Sequence, residues 1–143
     1  MTNRIIYSKD VAMRKFNMFY YVKGGNNKYR QTISEALCFA KAYLLPRHRN
    51  IEIEVEVNKN LKADADVFEG DYDRHFVIRV RKGMEREDLL TAIFHEFVHI
   101  KQSIRKEFDI FDIDDTPYFD RPYEQEAYAL QEKMLEKFKK TLA

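Results

Sequence analysis

The period of the apolar positions changes several times along the chain. Residues 16–22, Phe-Asn-Met-Phe-Tyr-Tyr-Val, form an aromatic run of strand character. It breaks at Gly24-Gly25-Asn26-Asn27, which reads as a turn. Ala36, Leu37, Ala40, Tyr43 and Leu44 then recur at helical spacing, with Ser34 placed as an N-cap and Pro46 forcing a stop. Next, Ile51, Ile53, Val55 and Val57 alternate with Glu52, Glu54 and Glu56, the period of a strand with one wet face. Residues 67–72 predict another strand, and 75–81 a further one closed by Gly83. A long helix is expected over about 85–106, its start favoured by Glu85, Glu87 and Asp88. A loop of mixed acidic and aromatic residues spans 107–120. A last helix then runs from Pro122 to about residue 140. This order predicts an α+β domain, a small antiparallel or mixed sheet backed by helices.

The composition narrows the picture. The 143 residues suit a single domain, 1–143, and 45% hydrophobic content is enough for one core. Four glycines and three prolines exclude collagen-like and low-complexity classes. A net charge of +1 gives no general attraction to nucleic acid or to anionic lipid, so neither partner is indicated. The single cysteine, Cys38, excludes an intrachain disulfide and a Cys-rich zinc site; its apolar neighbours predict a buried, inert thiol. No apolar run approaches the ~20 residues of a membrane span. Charges at Arg4, Lys9, Asp10, Arg14 and Lys15 interrupt the N-terminal segment, which predicts an intracellular, cytoplasmic chain.

The chemistry concentrates in His95-Glu96-Phe97-Val98-His99, an H-E-x-x-H on the long helix. Spacing i, i+4 puts both imidazoles on one face, one turn apart, where they can share a Zn²⁺ ion. Glu96 lies about 100° round the helix, placed to take a proton from a water at the metal rather than to chelate. Leu89, Leu90, Ile93, Phe94, Phe97, Ile100 and Ile104 fill a broad apolar arc. The histidines occupy the narrow remaining stripe with Asp88, Thr91 and Gln102, which suggests a semi-buried polar cleft.

A catalytic zinc needs a third protein ligand. The other histidines, His48 and His75, lie upstream, and no histidine follows His99, so the longer H-E-x-x-H-x-x-G-x-x-H pattern fails. A carboxylate must serve, and the last helix offers Glu124 and Glu126. Tyr123, Ala127, Leu130, Met134, Leu135, Phe138 and Leu142 mark its buried side. Glu124 falls about 60° from the centre of that arc and Glu126 about 100° away on the other flank. The wheel favours Glu124 and leaves Glu126 and Asp120 open. Asp109, Asp112, Asp114 and Asp115 lack the glycine turn and terminal Glu of a calcium loop and read as a solvated rim. Tyr118, Tyr123 and Tyr128 lie near the site, for packing or for donating to an oxyanion. His75 has the same choice between a structural and an oxyanion role.

These two segments resemble a gluzincin-type zinc metallopeptidase, which pairs H-E-x-x-H on one helix with E-x-x-A on the next. Glu124-Gln125-Glu126-Ala127 matches the second element. The runs 95–102 and 121–128 are similar to small metallopeptidase-like proteins of bacteriophages, loosely grouped with SprT-like domains. The resemblance implies a minimal zincin-like domain, its sheet packed against the H-E-x-x-H helix and a C-terminal ligand helix. It also implies phage origin, Zn²⁺ held by His95, His99 and Glu124, and Glu96 as general base in hydrolysing a protein or peptide substrate. A zinc-binding regulatory or interaction domain with little turnover is the alternative. Tyr128 replaces the acid that gluzincins carry four residues after the ligand, and the third SprT histidine is missing. By the same resemblance, strand 75–81 would pair with substrate at the sheet edge, and Arg74, Arg79, Arg81 and Lys82 would favour acidic substrate side chains.

Overall fold

The computed structural model describes residues 13–15, 17–108 and 117–141. Among them the chain is α+β. Its elements run β1 (Met13–Lys15), β2 (Met18–Lys23), α1 (Asn27–Leu44), β3 (Ile51–Asn58), β4 (Ala65–Glu69), β5 (His75–Arg81), α2 (Arg86–Ile104) and α3 (Pro122–Thr141). A single 3₁₀ turn, Tyr118–Asp120, precedes α3.

The five strands form one mixed sheet in the order β1-β2-β3-β5-β4. β2, β3 and β5 are parallel, and β1 and β4 pair antiparallel on the two flanks. Met18, Tyr20 and Val22 share one face with Ile51, Ile53 and Val55, and with Phe76, Ile78 and Val80, as the period of two requires. All nine are buried. They join Leu89, Ile93, Phe94 and Phe97 of α2, and Ile33, Leu37 and Ala40 of α1, in one core. α2 packs against α1, α3, β4 and β5, so the helix that carries the histidines is the centre of the domain.

Several boundaries differ from the sequence expectation. α1 starts at Asn27, capped by Asn26, whose side chain accepts from the Tyr29 amide at 2.8 Å. Ser34 lies inside the helix and bonds the Tyr20 hydroxyl instead. Gly24 and Gly25 do form the expected turn, both with positive φ (86° and 80°). Cys38 is half-buried at the edge of the core rather than fully enclosed. Strand 75–81 is not an edge: β4 covers it, and β4 itself closes the sheet on that side. The acidic positions Asp109, Asp112, Asp114 and Asp115 lie outside the described residues. No helix among the described residues is long and apolar enough to cross a membrane.

The β4–β5 connection is built around His75. Its Nδ1 accepts from the Asp71 amide at 3.1 Å, and Tyr72 stacks on the ring at 4.5 Å between centroids. The Gly70 amide donates to the His75 carbonyl at 2.7 Å. A Cβ on Gly70 would fall inside the imidazole itself. Gly70→Ala should therefore overpack this turn and cost about 1–3 kcal/mol. Urea denaturation should show a lower midpoint with an unchanged slope.

Candidate metal centre

α2 brings His95 and His99 onto one face because they lie one turn apart; their rings sit 4.9 Å apart, edge to face. α3 supplies the third group. Its buried side carries Tyr123, Ala127, Met134, Leu135 and Phe138, and Ala127 is fully enclosed. Glu124 borders that side and is buried as well. Its Oε1 lies 3.0 Å from His95 Nε2 and 3.2 Å from His99 Nε2.

The protonation pattern makes this contact informative. His95 Nδ1 lies 2.7 Å from the Gln131 Oε1, and His99 Nδ1 lies 2.8 Å from the Gln102 Oε1. The two amides are oriented by their own partners. Gln102 Nε2 donates to the Tyr123 carbonyl at 2.9 Å and to Glu126 Oε1 at 2.8 Å, both pure acceptors. Gln131 Nε2 donates to Glu132 Oε2 at 3.2 Å. Amide oxygens thus face the imidazoles, and each Nδ1 must carry its hydrogen. Neutral rings then present bare Nε2 lone pairs to a carboxylate oxygen. Three lone pairs converge where only a proton or a metal cation can reconcile them. His95, His99 and Glu124 offer ligand atoms all within 4.8 Å of one another and can hold a metal ion.

The metal-free electrostatics follow from this arrangement. Burial opposes charge on Glu124, but hydrogen bonds and charge from His95 and His99 outweigh it and bring its carboxyl down to about 2. Burial likewise opposes charge on His99, and the bonds to Glu124 and Gln102 reverse that, raising it above the ordinary histidine value. Glu96 differs from both. Burial pushes it up to about 7, only partly offset by the two histidines. It is enclosed beside the cluster without a hydrogen-bond partner among the described residues. A carboxylate held uncommitted near neutrality is suited to taking and returning a proton.

A cleft of about 390 Å³ opens onto the three ligands and Glu96, with Ala65, Asp66 and Val67 of β4 along one side. Tyr118 reaches into it and donates to Glu124 Oε1 at 3.1 Å; burial is the main cause of its raised pKa. Tyr128 packs on His95 at 4.7 Å and Tyr123 near His99 at 6.2 Å, both ring contacts. Glu126 is not in the cluster. It binds Lys101 Nζ at 3.0 Å and supports Gln102. Asp120 sits exposed on the 3₁₀ turn, and the structure does not bring His75 or His48 to the metal ligands.

Two features were not assigned from the sequence. One is the amide support: Gln102 and Gln131 hold the imidazoles where the expected acid is replaced by Tyr128. Their signal was available, since Gln102 shares the histidine stripe and Gln131 lies two turns after Glu124. The other is the charge balance of the sheet edge. Arg79 pairs with Asp66, and Arg81 with Asp64 at 2.6 Å. Arg74 donates to the Arg49 carbonyl at 3.0 Å. These arginines, expected to meet acidic substrate side chains, are engaged within the fold. Compared with known proteins, the chain matches no family model, no curated protein and no solved structure.

Glu124→Ala should abolish tight metal binding, while Glu126→Ala, one step further out, should change affinity only a fewfold. Gln102→Ala should weaken it about 10–100-fold by freeing the His99 ring. Calorimetric titration with Zn²⁺ distinguishes the three.

A pH dependence follows for metal-free protein. Folded Glu96 keeps its proton up to about 7, whereas the unfolded carboxyl releases it near the ordinary value of 4.5. The folded state then binds the extra proton, so stability falls as pH rises through that window. Metal-free Glu96→Gln should match wild type at pH 4 and exceed it at pH 8 by on the order of 2 kcal/mol. Urea denaturation in chelator across this range measures the difference.

Proposed function

We propose that this chain is a zinc-dependent metallopeptidase with a minimal zincin-like fold. The observation that carries the proposal is the convergence of two tautomer-fixed Nε2 atoms and one carboxylate oxygen beside a buried glutamate that has no hydrogen-bond partner among the described residues. Two histidines and one carboxylate match the donor set of catalytic zinc sites, which leave a coordination position open. Oxygen-only or thiolate metals would favour other ligands. Zinc bound there would acidify a water and polarise the substrate carbonyl.

The remaining steps belong to the chain's own side chains. Glu96 accepts the proton of the attacking water as the oxygen bonds to the carbonyl carbon. It then delivers that proton to the amide nitrogen as the C–N bond breaks, giving a carboxylic acid and an amine. His95 and His99 are kept from swinging by Gln131 and Gln102. Tyr118, whose hydroxyl already points at the ligand oxygen, is the side chain we assign to the developing oxyanion. The substrate is a protein or peptide in extended form. It would add a strand to β4, the edge strand whose Ala65, Asp66 and Val67 line the cleft.

The test is Glu96→Gln, which preserves shape and removes the base. Peptide hydrolysis should fall by at least about 10²–10⁴-fold, with zinc stoichiometry unchanged. Loss of zinc would instead make Glu96 a ligand or a structural residue. Equal inertness of wild type and variant across a broad peptide library would favour a zinc-binding module without turnover.

A further inference from the structure

A second cavity, of about 260 Å³, adjoins the metal cleft and shares His95, Glu96 and Tyr118 with it. It is lined as well by Asp64, by Asp88 and Thr91 of α2, and by Tyr128 and Gln131 of α3. We propose that this cavity receives a positively charged group of the substrate and that Asp88 is its determinant. The inference rests on the metallopeptidase reading and adds the class of side chain taken next to the scissile bond.

Four observations support it. Among the described residues no lysine or arginine lines the cavity. Nearby cations already have acidic partners: Arg86 pairs with Glu35 at 2.9 Å, and Arg81 with Asp64, which itself lines the cavity, at 2.6 Å. Lys139 is held by Glu87 at 2.6 Å, the residue beside Asp88. Asp88 itself is exposed and has no ion-pair partner among the described residues.

Two further acids line the cavity: Asp64, which is paired with Arg81, and Glu96, buried and without a hydrogen-bond partner among the described residues. The neutral groups are already used, since the Thr91 hydroxyl donates to the Glu87 carbonyl at 2.9 Å and Gln131 binds His95. An anionic group would meet Asp88 and Glu96, while Arg81 is already held by Asp64. An ammonium or guanidinium would meet Asp88 together with the rings of Tyr118 and Tyr128, both partly exposed. Asp88 lies seven residues before His95, about 10 Å along the helix. One extended residue plus a long basic side chain spans that distance.

The test uses full-length, zinc-loaded protein and acetylated, amidated octapeptides with Lys, Arg, Leu or Glu at the central positions. Binding is read by fluorescence anisotropy on Glu96→Gln protein, and cleavage on wild type. Lys and Arg peptides should bind and be cleaved best. Asp88→Asn should lower their affinity and kcat/KM about fivefold and leave the Leu peptide unchanged, the scale of one partly exposed ion pair. Asp88→Lys should transfer the preference to Glu. A matched set with a free amino terminus identifies the cation. A preference retained in acetylated peptides assigns the side chain, and one seen only with a free amine assigns the α-ammonium; both support a cation pocket. Equal binding of Lys, Leu and Glu peptides, or an equal loss for all of them in Asp88→Asn, overturns it. A binding preference without any cleavage by wild type leaves the pocket standing and removes the peptidase reading instead.

Discussion

Three lone pairs aimed at one buried point are the constraint on which this structure depends. Two imidazole nitrogens and a carboxylate oxygen repel one another unless a proton or a metal cation sits between them, and burial strengthens that repulsion. Other contacts must therefore hold α2 and α3 together: the polar bridges from Lys101 and Gln102 to Glu126, and apolar packing away from the cleft. Phe94 and Phe138 meet at 5.9 Å, Phe39 closes on both, and Met134 and Ala127 fill the seam. The same enclosure that makes the cluster need a cation also raises Glu96, so ligand set and base share one physical origin.

Beneath the ligands lies a chain of polar contacts that links the helix end to the site. Lys101 is buried near the end of α2 and is held by Glu107 and Glu126, each at 3.0 Å. Burial opposes charge on Glu126, but its bonds from Gln102 and Lys101 outweigh that and keep it below the ordinary carboxylate range. Glu126 in turn fixes the Gln102 amide, and Gln102 fixes His99. No member of the chain is left half-satisfied, which is the condition for a buried polar network to rigidify rather than weaken its surroundings.

The parts legible in the sequence were those carried by period. The two polar faces that meet at the cluster followed from helical wheels, and the β3 alternation from a period of two. Chain ends were harder, because caps are local chemistry. α2 ends two residues before the expected position in a turn where Glu107 bonds the Gln102 carbonyl and Lys106 that of Ser103. Lys106 takes the left-handed conformation there, φ 55°, where a glycine would have signalled the stop. Asn26 caps α1 ahead of a polar first turn that shows no apolar period. The place of β5 inside the sheet was not readable at all. Strand order is a long-range choice, and the pairing of Asp66 with Arg79 and Asp64 with Arg81 that accompanies it has no local signature.

The amide supports of the two imidazoles have a consequence for acid tolerance. Where a carboxylate orients a metal-binding histidine, falling pH protonates the support and loosens the ring before the ligand itself is titrated. Gln102 and Gln131 carry no titratable proton, so the direct supports of both rings keep their form through the acid range. The titratable carboxylates of this scaffold, Glu126 and Glu132, stand one hydrogen bond further out, behind the amides rather than against the rings.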